Sequence, residues 1–260
     1  MTLELPQIGL GTGGPDRLND VDLMTRALEM GYRHIDTAQS YENEAEVGEA
    51  VAAADVPRSD LVVATKIEKH NLGYDDAIET SRQSRDDLGV DTIDLLYAHF
   101  PTTTYDPEET LPALDDLVDE GVAEFIGLSN FSPDELAEAA DILEHAIAAV
   151  QVEMHPYWQQ RELVSYCQDE GIPVVAYTPI ARGMVFDDPE ITAIAEKHDT
   201  DAVTVTLSWL TSIDGVSAIP MTTSEAHLES NLAAPDLDLD NEDVERIESI
   251  EETKKFVEIA

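Results

Sequence analysis

"TIDLLYAHFPTTTYDPEETLPALDDLVDEGVAEFIGLSN", residues 92–130, decides the fold. The apolar run 92–99 reads as a β-strand. Asp106-Pro107 then opens a helix, with an N-cap and proline at the first helical position. "VAEFIGLS" (122–129) is a second strand, and "SPDE" (132–135) a capping box that opens the next helix. Apolar strands alternating with helices imply a parallel sheet covered by helices.

The unit repeats in both directions. Strand patterns occur upstream at "IGLG" (8–11), "RHIDT" (33–37) and "LVVATKI" (61–67). They recur downstream at "AAVQVEM" (148–154), "IPVVAY" (172–177) and "VSAIP" (216–220). A helix from about Asn43 places Val47, Ala50, Val51 and Ala54 on one face, and another ends near Leu88-Gly89. Eight βα units in a chain of this length predict an α/β fold, a single closed (β/α)8 barrel domain over 1–260. "TLELP" near the N-terminus predicts a short hairpin below the barrel. The tail after Pro235 predicts an acidic loop and a final helix.

Composition narrows the function. The chain has 56 acidic and 14 basic residues, net −42, and 43% hydrophobic residues, enough to bury a core. Such a surface repels phosphate backbones and anionic lipid, so neither nucleic acid nor membrane is an expected partner. The acid is spread along the whole chain, which points to a halophilic, acidic surface, with a polycationic partner as the lesser reading. Cys167 is alone, so no internal disulfide forms, as in a reducing compartment. No signal peptide and no membrane-length apolar run is seen, so a soluble, cytoplasmic protein is expected.

In a (β/α)8 barrel, polar residues at the C-terminal strand ends face the active site. Those positions hold Asp36, Lys66, His99, Ser129, Asn130, Gln151, Glu153 and Tyr177. Lys66, one of only five lysines, closes an apolar strand. A buried amine is costly unless paired, and Asp36, one strand earlier, is the expected partner. Lys66 and Asp36 alone would read equally well as a structural ion pair. His99 alone would be a core histidine, and Tyr41 a packing aromatic. Together, on three successive βα units, they describe chemistry. A phenol has a pKa of about 10 and becomes a useful acid when an ammonium stabilises its anion. An imidazole beside it orients a carbonyl oxygen. The cluster can protonate an oxygen on which charge develops, as carbonyl reduction by hydride requires.

These residues lie in "GYRHIDTAQSYENE" (31–44), "LVVATKI", "LLYAHFP" (95–101), "GLSNF" (127–131), "VQVEMHP" (150–156), "AYTPIARG" (176–183) and "AIPMTTSEAHLESNL" (218–232). In order and spacing the set resembles the aldo-keto reductases, in their 2,5-diketo-gluconate and aldehyde reductase branch. The resemblance implies NADPH or NADH as cofactor, a small carbonyl substrate, no metal and a monomer. It makes Tyr41 the general acid, Lys66 and Asp36 the pair that tunes it, and His99 the residue orienting the carbonyl. Ser129, Asn130 and Gln151 would hold the nicotinamide carboxamide, and Tyr177 would stack on its ring. Thr178, Ile180 and Gly183 would follow the pyrophosphate, and Pro220, Thr222 and Asn231 the adenosine end. Thr12 and His227 complete the implied cofactor contacts, and Gly13, Phe100 and Phe131 the substrate pocket. The family usually has lysine and arginine at the positions of Met221 and His227, gripping the 2′-phosphate of NADPH, and often lysine at Met184. The resemblance favours NADP, and the loss of those cations, which weakens a charge-assisted grip, counts against that preference.

Three rival readings exist. "GLGTGG" (9–14) with Asp36 fits a Rossmann fingerprint, but Pro15 follows and helical periodicity starts only near Asp20. His34, Asp36, His99 and His155 suggest a metal-dependent barrel hydrolase, against which Lys66 puts a cation at the metal's place. A silent nicotinamide-binding regulatory subunit would keep the barrel without turnover.

Overall fold

The computed structural model describes residues 3–14 and 17–258. Eight strands form one sheet in sequential order. They are β1 (Leu10–Gly11), β2 (His34–Asp36), β3 (Val62–Ile67), β4 (Ile93–Ala98), β5 (Ala123–Ser129), β6 (Ile147–Glu153), β7 (Val174–Tyr177) and β8 (Val216–Ala218). Every neighbouring pair is parallel. Gly9 N donates to Ala218 O at 2.9 Å, Ala218 N to Gln7 O at 2.9 Å, and Gly11 N to Pro220 O at 3.2 Å. These bonds carry β8 back to the first strand and close the (β/α)8 barrel.

Helices α1 (Val21–Met30), α2 (Glu44–Ala53), α3 (Tyr74–Asp87), α4 (Pro107–Asp119), α5 (Pro133–Ile142) and α6 (Arg161–Glu170) follow the first six strands. The predicted starts are present: Asp106 accepts from Glu108 N, and Ser132 forms a capping box with Glu135. The eightfold pattern predicts one helix per crossover, yet the seventh carries two, α7 (Pro189–Lys197) and α8 (Ala202–Ser212). Separate caps at Asp188 and Asp201 start them. α9 (Glu225–Ala233) follows β8, and α10 (Asn241–Glu248) is the final helix after the acidic loop.

Alternation along the strands sorts the core into two layers. Val63, Ile67, Leu96 and Ile126 face the helices, while Ala64, Leu95, Tyr97 and Ala149 pack inside the barrel. Tyr97 fits there because Gly127 lies opposite: a Cβ on Gly127 would approach the Tyr97 ring to 2.3 Å. The predicted N-terminal hairpin does not form among the described residues. Residues 3–6 make no strand; Leu3 and Leu5 instead fill the barrel floor that the small Ala64 and Ala149 leave open. Thr2, where that hairpin would begin, lies outside the described residues.

Candidate active site

The inward positions two residues above the core layer are Lys66, Ser129 and Gln151, with Asp36 beside them on β2. The Lys66 ammonium donates to Asp36 Oδ1 at 2.5 Å and to the Thr37 carbonyl at 2.7 Å. Gln151 Nε2 donates to Asp36 Oδ2 at 2.7 Å, so both carboxylate oxygens are engaged. The two side chains are 1% and 3% exposed, which makes this a buried ion pair with its hydrogen bonds satisfied.

Tyr41 ends a short 3-10 turn, Gln39–Tyr41, whose geometry is fixed from several directions. Thr37 Oγ1 donates to Asn43 Oδ1 at 2.5 Å, and Asn43 Nδ2 to the Leu18 carbonyl at 3.0 Å. Gln39 Oε1 accepts from Glu68 N at 2.9 Å and from Asn71 Nδ2 at 3.1 Å. The phenol ring thus stands with its centroid 5.2 Å from Lys66 Nζ. The expected lowering of its pKa is only one of the forces present. Burial pushes the phenol up, Lys66 pulls it down, Asp36 pushes it up, and the net direction is upward. Tyr41 therefore holds its proton firmly at neutral pH.

His99, just beyond β4, meets Tyr41 edge-to-face with ring centroids 6.0 Å apart and stacks on Phe100 at 4.4 Å. Burial, followed by the charges of Lys66 and Lys69, pushes its pKa well down. The imidazole is neutral, with one nitrogen free to donate. The four predicted residues Asp36, Tyr41, Lys66 and His99 thus meet at the mouth of the barrel.

Beside them lies a platform of amides and a flat ring. Ser129 and Gln151 pair in register across β5 and β6. Asn130 adopts the left-handed conformation, φ 68°, and donates to the His99 carbonyl at 2.9 Å and to Ser129 Oγ at 3.0 Å. Its Oδ1 accepts from the Tyr177 hydroxyl at 2.8 Å. A hydroxyl, two carboxamides and a half-buried phenol ring suit a primary amide carried on a flat heterocycle, so the donor set fits a nicotinamide. Gln151 gives one of its two amide hydrogens to Asp36, which leaves its carbonyl and one N–H for a ligand.

Beyond the platform the backbone takes positive φ at Thr178, Ala181, Arg182 and Gly183. Such a run is rare for β-branched and alanine residues and marks functional loops. Ile180 packs against the core between them. Thr12 is fully buried, its hydroxyl donating to the Asp36 carbonyl at 3.0 Å. At the far end Thr222 Oγ1 accepts from Ser224 N at 3.1 Å and lies 3.4 Å from His227 Nδ1. Asn231 is buried and the Pro220 carbonyl is taken by Gly11 N. No lysine or arginine occurs between Ile219 and Asn231, and Arg26, which reaches α9, is paired with Glu225 at 2.6 Å. Phe131 meets Tyr105 edge-to-face at 5.2 Å and lines a 770 Å³ cleft with Trp158 and the tail from Glu248.

The histidines of the metal reading do not assemble. His34 lies beneath Asp36, neither ring nitrogen having a hydrogen-bond partner among the described residues, its pKa pushed down to about 4 by burial. His155 Nε2 is 3.0 Å from Glu153 Oε1. Among the described residues no group of three or more histidine, cysteine, aspartate or glutamate side chains is disposed to hold a metal. Pro15, invoked against a Rossmann turn, lies outside the described residues.

Two arrangements were not foreseen. Glu153 accepts Phe256 N at 2.7 Å and Val257 N at 2.8 Å, and Lys254 N donates to the Tyr157 carbonyl at 3.0 Å. The C-terminal segment is thereby strapped to the end of β6. Glu44, behind Tyr41, is a further buried carboxylate; the only sequence signal for it was its place directly after the functional turn.

The model of the Aldo/keto reductase family matches residues 7–252. Methylglyoxal reductase DkgB of Escherichia coli O157:H7 is 38% identical over 268 residues, covering 98% of this chain and 96% of its own. Among solved structures, a putative 2,5-diketo-D-gluconic acid reductase B superposes with a TM-score of 0.90 at 34% identity, over 95% of this chain and 88% of that one. A Bombyx mori aldo-keto reductase in complex with NADP gives 0.89 at 30% identity, over 98% and 92%.

Proposed function

The chain belongs to the aldo/keto reductase family and reduces an aldehyde or ketone to an alcohol with NAD(P)H; from that premise we propose that Tyr41 delivers the proton. The observation that carries the assignment is Lys66 Nζ, 2.5 Å from Asp36 and 5.2 Å from the Tyr41 ring centroid.

When bound, the reduced nicotinamide supplies hydride to the carbonyl carbon. Neutral His99 donates an N–H to the carbonyl oxygen and turns it toward the Tyr41 hydroxyl. As that oxygen gains charge it becomes more basic than a phenolate, and the Tyr41 proton crosses to it. The phenolate left behind stands beside the Lys66 ammonium, whose charge Asp36 secures. Solvent then returns a proton to Tyr41. Burial, by raising the phenol pKa, keeps the proton in place until such an oxygen arrives.

The substrate in this reading is a small polar dicarbonyl compound. The E. coli relative is a methylglyoxal reductase and a structural neighbour a putative 2,5-diketo-D-gluconic acid reductase, and both names denote such compounds. Phe100 and Phe131 would wall the pocket. Thr12, Ser129, Asn130, Gln151 and Tyr177 would hold the nicotinamide half. Thr178, Ile180 and Gly183 would hold the pyrophosphate, and Pro220, Thr222, His227 and Asn231 the adenosine. The chain would act as one domain and a monomer, its acidic surface serving a cytoplasm rich in salt; the net charge of −42 supports that reading.

The test is Tyr41→Phe, purified in high salt and assayed with methylglyoxal by loss of reduced-nicotinamide absorbance. Turnover should fall about 10²–10⁴-fold, as for removal of a general acid, with cofactor binding retained. Undiminished turnover defeats the assignment.

A further inference from the structure

Glu44 opens α2 three residues after Tyr41 and is buried. Its Oε1 accepts from the Thr65 hydroxyl at 2.6 Å and its Oε2 from the Ser84 hydroxyl at 3.2 Å. Ser84 Oγ in turn accepts from Gln39 Nε2 at 3.1 Å, and Gln39 begins the turn that ends in Tyr41. Gln39 Nε2 can only give to Ser84, and each carboxyl oxygen has one hydroxyl within reach, an arrangement that suits an ionised group.

Thr65 precedes Lys66 on β3, so this carboxylate and the ammonium occupy opposite faces of one strand. A buried carboxylate is costly. A glutamine of the same shape would tie α2, β3 and α3 together without that cost, so the charge has a use that the ties alone do not explain. Burial pushes the Glu44 carboxyl's pKa up and prevails; the Thr65 and Ser84 hydroxyls pull it down, Asp87 from α3 opposes its charge and Lys66 from β3 favours it. The groups facing Tyr41 are Lys66, Asp36, His99 and Tyr177.

We propose that Glu44 is a positioning residue for the proton transfer, a carboxylate held across β3 by Thr65 and Ser84 that offsets the field of Lys66 at Tyr41 and braces the 39–41 turn. This rests on Tyr41 as proton donor. Glu44 thereby limits how far Lys66 can acidify the phenol.

The experiment is the pH profile of kcat/KM for reduction in Glu44→Gln, with the cofactor Kd measured by fluorescence. Removing the negative charge strengthens the hold of Lys66 on the phenolate. The alkaline limb should move to lower pH by about 0.5–1 unit, with the cofactor Kd unchanged. Thr65→Val removes a donor but no charge; the carboxyl then protonates more readily, and the limb moves the same way by less. It decides the matter should Glu44→Gln not fold. An unmoved limb, with only a lower melting temperature, overturns the proposal and leaves Glu44 a structural tie. Tyr41→Phe separates the two readings, since full turnover in that variant defeats the proton donor itself, whatever Glu44 does.

Discussion

Gly13 and Tyr41 are packed so closely that no side chain fits between them. A Cβ on Gly13 would lie 2.4 Å from Tyr41 Cζ and 2.8 Å from its hydroxyl oxygen. The loop after β1 therefore decides where the phenol stands. Gly13→Ala should push the hydroxyl aside by a fraction of an ångström to an ångström and lower kcat by roughly 10–10²-fold. The melting temperature and cofactor affinity should stay near wild type, which steady-state kinetics and calorimetry together would show.

Asp36→Asn leaves the Lys66 ammonium buried without a counter-charge. Breaking a buried pair from one side costs about 3–5 kcal/mol, so the melting temperature should fall by roughly 10 °C in a chain of this size. The alkaline limb of the reduction profile should move to lower pH. Where Lys66 stays charged, loss of Asp36 removes a group that holds the phenol's pKa up. A Lys66 without its proton would instead raise the phenol's pKa and move the limb the other way, so the downward shift is expected while Lys66 keeps its charge, and a limb at the wild-type position would contradict the pairing's role.

Met221→Lys places a cation in a stretch that has none between Ile219 and Asn231. One charge-assisted contact is worth about 1.5–3 kcal/mol, so NADPH should bind about 10-fold more tightly or better, while NADH changes little. Titrations of both cofactors by fluorescence quenching would measure the ratio. Equal strengthening of the two would mean that residue 221 does not face the 2′-phosphate.

Glu153→Gln replaces one acceptor oxygen with an NH2 group, so one of the Phe256 and Val257 amides loses its partner. An unsatisfied group of this kind costs about 1–3 kcal/mol, and the strap should open about 10–10²-fold more often. Trypsin cutting after Lys254 and Lys255 would report it, with the barrel's melting transition nearly unchanged. In the native protein burial pushes the Glu153 carboxyl up, but His155 and the two amides outweigh it and hold the pKa below its ordinary value. A lowered carboxylate pKa stabilises above the unfolded value and is lost as pH falls through the folded one. The strap should stay latched at neutral pH and loosen only in acid.

The barrel and the four residues at its mouth were readable because two signals coincide there. Period-two alternation decides which side chains face inward, and polar residues at inward strand ends are few. A lysine closing an apolar strand in a lysine-poor chain needs a partner, and the partner could be named. What the sequence did not reveal depends on contacts distant along the chain. A phenol next to an ammonium predicts a lowered pKa, whereas around Tyr41 burial outweighs the ammonium. Gln151 also gives one amide hydrogen to Asp36, 115 residues away, a tie that strand position alone does not indicate. Nothing in "TLELP" says that Leu3 and Leu5 fill a space left by two alanines, and nothing in "KKFVE" says that its amides meet a carboxylate on β6.

That last contact bears on biosynthesis. Glu153 leaves the ribosome about a hundred residues before the amides that cover it, so its carboxylate must wait uncovered until residues 256 and 257 are made. A chain cut after β8 can complete all eight strands and still have an unsealed rim, because that seal is made by amides outside the barrel repeat.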